Sequence, residues 1–160
     1  MATEKLKFKL ELYATMWDRP PHAEIMLNDV SHFNGHITGT EDKPDLIEFE
    51  HELDEGKEYK LMINRSGSDK TQTVVNEKGD LLKDQLLHIK GIEIDEIDLG
   101  ALVYEGLYTP DYPEPWATQQ REAGVELRDS FKNVTCIGHN GTWQFKFTSP
   151  FYMWLLENLY

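Results

Sequence analysis

The chain has 160 residues, a single cysteine and a net charge of −13, from 29 acidic against 16 basic side chains. Such a surface repels a phosphate backbone unless a basic patch reverses the field, and no such patch is present, so nucleic acid is not an expected partner. One cysteine, Cys136, rules out an internal disulfide, and no run reaches the roughly 18 apolar residues of a membrane helix, so no membrane partner is expected either.

The length fits one domain over residues 1–160, large enough to bury a core without disulfide or metal staples. The first residues, Met-Ala-Thr-Glu-Lys, lack the apolar core of an export signal, which points to synthesis in a cytoplasm. The first strand is read at Leu6 to Leu12, where Lys5, Lys7 and Lys9 alternate with Leu6, Phe8 and Leu10. Trp17 and the Arg19-Pro20-Pro21 break follow, then a short strand around Ile25 and Leu27. His22, His32 and His36, with Asp29, are transition-metal ligand types in a stretch of little periodicity, but their spacings of ten and four fall on no expected helix that would pair them.

A third strand alternates Ile47, Phe49, His51 and Leu53 with Glu48, Glu50 and Glu52. After the Glu55-Gly56 turn, Tyr59, Leu61 and Ile63 form the next. The polar loop from Ser66 to Asp84 carries Asp69, Asn76, Asp80 and Asp84, hard oxygen donors of the kind calcium collects, so Ca²⁺ is the candidate cofactor. The spacing is not that of an EF-hand, and Glu77 to Asp80 reads equally well as a solvated turn.

Apolar residues occupy odd positions at Leu87 and Ile89 and even ones at Ile92 and Ile94, so Gly91 is expected to mark a β-bulge. Asp95-Glu96 turns the chain into Ile97, Leu99 and a strand at Leu102 to Tyr104. Pro110, Pro113 and Pro115 then hold an extended segment that displays Tyr108, Tyr112 and Trp116 rather than packing them in a regular strand. With Trp17, these rings are the candidate partner- or glycan-binding residues, because exposed rings stack on sugar faces or fill partner pockets. Trp116 and Trp154 serve equally well as plugs at the ends of a core.

Pro115 to Glu122 is read as a short helix stopped by Gly124. Asn140-Gly141 is expected to join Val134–Cys136 and Trp143–Phe147 as a hairpin, and Phe151 to Asn158 reads as a second helix capped by Ser149, though its aromatic density also permits a strand. Cys136 and His139 suggest a nucleophile and base, but no third residue orients them, and a buried cysteine is the simpler reading. No carboxylate pair stands out in so acidic a chain, so the protein is not read as an enzyme. About nine short strands with regular turn signals and one or two short helices make an all-β, antiparallel β-sandwich.

Several strings carry a family resemblance: Gly91 to Leu99, Tyr108-Thr-Pro-Asp-Tyr-Pro-Glu-Pro-Trp116, Gly138-His-Asn-Gly-Thr-Trp143 and Ser149-Pro-Phe-Tyr-Met-Trp-Leu-Leu-Glu157. The chain resembles small virion proteins of tailed phages of marine bacteria, cyanophages among them. In such proteins the domain is similar to calcium-dependent, xylan-binding-type carbohydrate-binding modules of jelly-roll type. The resemblance implies a non-enzymatic structural component of the particle, such as a capsid decoration or a neck, tail or fibre accessory, made in the host cytoplasm. It implies other virion proteins as partners, repetition as a homo-oligomer, and a ligand loop at Asp69, Asn76, Asp80 and Asp84. The alternative it carries is a calcium-dependent carbohydrate-binding module adhering to a polysaccharide.

Overall fold

Alternation in the sequence becomes strand pairing in the computed structural model, which describes residues 2–15, 20–66, 74–75, 81–83, 86–112, 115–137 and 140–159. In chain order the strands are β1 (Thr3–Thr15), β2 (His22–Leu27), β3 (Val30–His36), β4 (Asp45–Asp54), β5 (Glu58–Ser66), β6 (Val74–Val75) and β7 (Leu81–Lys83). They continue as β8 (Leu86–Ile94), β9 (Ile97–Asp98), β10 (Leu107–Pro110), β11 (Cys136–Ile137) and β12 (Gly141–Thr148). Among the described residues, two α-helices, α1 (Trp116–Glu122) and α2 (Phe151–Leu159), and a 3₁₀ helix, Gly100–Glu105, complete the set. One sheet runs β11-β8-β1-β4 with β9 added on β8; the other runs β10-β12-β5-β2-β3, and β6 with β7 forms a small ribbon. The fold is an all-β sandwich of antiparallel sheets.

Side chains alternate across each strand, so a single face supplies the core. Leu6, Phe8, Leu10 and Leu12 of β1 are buried against Ile25, Leu27, Leu61 and Ile63 of the other sheet in one apolar cluster. On the wet face Lys5, Lys7 and Lys9 lie opposite Glu52, Glu50 and Glu48, which places opposite charges across the β1–β4 ladder. The bulge read at Gly91 is present: Glu11 pairs with Gly91 and Leu12 with Ile89, leaving Lys90 as the extra residue.

Four expectations give way. Leu102 to Tyr104 lies in a 3₁₀ helix, Gly100–Glu105, not a strand. Gly100 takes φ +54°, its N–H donates to Asp98 Oδ1, and Val103 is buried while Tyr104 is exposed. Asn140-Gly141 does not close a hairpin, because β11 pairs with β8 in one sheet and β12 with β5 and β10 in the other. The crossover is held by buried Arg65, whose Nη1 donates to Asn140 Oδ1 at 3.0 Å. Gly141 is needed there because a Cβ would stand 2.4 Å from the Thr109 carbonyl oxygen. Cys136 is exposed rather than buried. Finally, the α2 N-terminus takes its acceptor from β1: both the Phe151 N–H and the Ser149 hydroxyl donate to Glu4 Oε2. A carboxylate there satisfies orphan N–H groups and suits the positive end of the helix.

Candidate functional site

Two groups of expected site residues lie outside the described residues: Trp17, and the calcium candidates Asp69, Asn76, Asp80 and Asp84. Tyr108 is placed in the core. It sits in β10 opposite Trp143, is 4% exposed, and exchanges backbone hydrogen bonds with Phe131. The prolines do not keep this stretch out of the ladder, because Pro110 ends an edge strand where a missing N–H costs little. A buried ring of this kind presents nothing to a partner.

Tyr112 and Trp116 do come together, half-buried, with ring centroids 6.0 Å apart and planes at 36°. The Tyr112 hydroxyl donates to the Arg128 carbonyl at 2.7 Å, which ties the extended segment to the chain that follows α1. Burial first, and Asp129 next, raise the Tyr112 pKa, so the hydroxyl stays a donor at neutral pH.

The C-terminal helix presents a broader surface. Phe151 and Leu155 are buried, and Trp154 meets Phe145 edge-on at 5.4 Å. The opposite face exposes Tyr152, Met153 at 59% and Leu156 at 62%. Positions 152, 153 and 156 share one helical face, so these side chains form a patch rather than scattered points. The Tyr152 hydroxyl donates to Asp95 Oδ2, a bond that pushes its pKa up to about 12 and pins the patch to the β8–β9 turn. The sequence signal lies in the apolar run of 151–156, whose period wraps apolar residues around more than the core-facing stripe.

Beside the patch lies an open cleft of about 550 Å³ between the 3₁₀ helix, β12 and α2. Phe145 and Trp154 line it together with Gln144, Asn158, Lys132 and Lys146. The half-buried Trp154 ring, with the amides of Gln144 and Asn158 and the two lysines, supplies groups that can stack on and hydrogen-bond a sugar, whereas Phe145 is buried beneath it. No sequence pattern announces this cleft, since its residues come from four separated segments.

The histidines assemble in pairs that no sequence spacing announces. In β3 the register slips between Ile25–Phe33 and Met26–Ser31, leaving His32 as the extra residue of a bulge. That bulge turns the His32 ring onto Phe49 of β4, stacked at 4.1 Å and 9°, with its Nε2 2.9 Å from His51 Nδ1. Burial lowers the pKa of both; His51 adds to the effect at His32, and Lys57 adds to it at His51. His22 and His36 face each other across β2 and β3, with His22 also bonded to Asn34. Among the described residues, no three His, Cys, Asp or Glu side chains gather closely enough to hold a metal ion.

Cys136 lies opposite His88 in the β8–β11 pair, and His139, the other half of the expected nucleophile and base, lies outside the described residues. His88 is covered by the Tyr13 ring at 4.4 Å and its Nε2 is 2.8 Å from Thr15 Oγ1, so that ring nitrogen is already engaged. No family model matches the sequence, no curated protein is similar to it, and no solved structure matches its fold.

Proposed function

We propose that the protein is a non-enzymatic structural module of a tailed-phage particle, seated on a neighbouring virion subunit through the outer face of α2. The observation that carries this reading is the patch of Tyr152, Met153 and Leu156, exposed on a helix whose other face is anchored in the core. Apolar side chains grouped on a rigid element mark contact sites, and a seat that is repeated by symmetry needs only a modest area per copy. The phage resemblance of the Ser149 to Glu157 string falls on this same element.

Mass spectrometry of gradient-purified particles is the direct test, and peptides of this chain are expected at a stoichiometry matching a symmetric position. Their absence from particles would end the proposal. A Met153→Glu, Leu156→Glu double variant should keep its circular dichroism spectrum yet be missing from particles.

A second reading is glycan binding in the cleft beside α2, favoured by the half-buried Trp154 ring together with the amides of Gln144 and Asn158. A glycan array, read with and without calcium, tests it. Signal that survives Gln144→Ala would place any glycan elsewhere.

A further inference from the structure

We propose that His22, His36 and the Asn34 carboxamide form a surface chelate for a divalent transition ion of borderline softness, of the Ni²⁺, Cu²⁺ and Zn²⁺ class. His22 and His36 are direct cross-strand partners in the β2–β3 ladder. Both project from the outer face of the sheet, because the intervening Ala23 and Ile25 are fully buried. Their ring centroids stand 5.2 Å apart with planes at 87°. Two imidazoles on one tetrahedral ion, with metal–nitrogen bonds of about 2.0–2.1 Å, have centroids about 5 Å apart. Paired strands therefore already hold the spacing of a bidentate chelate.

Asn34 adds the third donor. It precedes His36 by two residues on the same strand face, and its Oδ1 accepts a hydrogen bond from His22 Nε2. An ion would take the place of the proton now held between those atoms, and neutral His22 would carry its proton on Nδ1 instead. No net proton is released in that exchange. Two imidazoles and one amide oxygen suit borderline ions, whereas calcium needs six to eight oxygens.

Charge separates this pair from the other. The His32 and His51 rings are 5.1 Å apart at 80°, a similar geometry, but their facing nitrogens already bond each other and Lys57 acts on His51. Around His22 and His36 the next side chain on the same face of β2 is Glu24, an acid, and the whole chain carries −13. A cation is drawn to the outer pair and repelled from the inner one.

Calorimetric titration of the untagged full chain with NiCl₂, beside electron paramagnetic resonance with CuCl₂, tests the site. One equivalent is expected to bind, with nitrogen hyperfine coupling in the copper spectrum. His22→Ala and His36→Ala should each weaken binding by more than about tenfold, the low end of the roughly 10–100-fold range for losing an outer-sphere partner. Asn34→Ala should weaken it less, and His51→Phe should leave it unchanged. These exposed substitutions are expected to preserve the fold, which circular dichroism checks. Absence of binding to the unaltered chain, or unchanged affinity in the His22→Ala, His36→Ala double variant, overturns the proposal.

Discussion

Where α2 meets β12, the sandwich is sealed by Phe145, Phe147, Phe151 and Trp154, whose rings pack edge-on and stacked at 5.4 to 6.4 Å. A second seam, between β3 and β4, is sealed by His32, Phe49 and His51 together with Tyr59 of β5, which stacks on Phe147 of the first. The two seams share a geometry and differ in chemistry. Hydrocarbon rings are indifferent to protons, whereas an imidazole packs as an apolar ring only while it is neutral. One seam is thus permanent and the other conditional, and stacking geometry alone does not tell them apart.

The largest effect should come from breaking the permanent seam. Phe151→Ala removes a fully buried ring and should cost about 3–5 kcal/mol in denaturant unfolding, by the same amount at neutral and mildly acidic pH. A loss below about 1 kcal/mol would mean that α2 does not seal the core at all. Glu4→Ala leaves the Phe151 N–H and Ser149 hydroxyl without their acceptor and should cost about 1–3 kcal/mol, again measured by unfolding.

The conditional seam predicts a pH dependence with a definite sign. Both His32 and His51 have pKa values lowered in the folded chain, so the unfolded chain binds more protons as pH falls below about 6.5. Stability should be full above that value and decline from there down through the depressed pKa values. His51→Phe should flatten this decline, and urea midpoints taken across the range check it. An unchanged slope in that variant would remove the pair from the account. Smallest of all, Leu156→Glu, on the solvent side of the first seam, should change stability by no more than about 0.5 kcal/mol.

How far the sequence reveals these seams depends on how local the cause is. The row Ile47, Phe49, His51 and Leu53 is strict alternation, so the pattern by itself marks His51 as an inward residue. β3 is not legible in this way, because its bulge interrupts the period and its residues include Ser31, Asn34 and Gly35. Leu99, Leu102 and Val103 are spaced three and four apart, a helical signature that prevails here over the expected strand. Asn140-Gly141 carries a turn signal, but a dipeptide cannot say which strands its flanks will join. Of the candidate site, the aromatic C-terminal segment is visible in the sequence, while the cleft and both histidine pairs arise only when distant segments meet.

The bond from Glu4 to the start of α2 joins residues 147 positions apart. Contacts of such separation form late, because the closure entropy of the intervening chain is lost before they return any stabilisation. On a ribosome, β1 must wait until the chain as far as Phe151 has been made before it can cap the helix. Until then, the apolar face of β1 and the aromatic side of α2 lack each other's company, and that interval is when an assembling cell would find this chain most prone to misassociation.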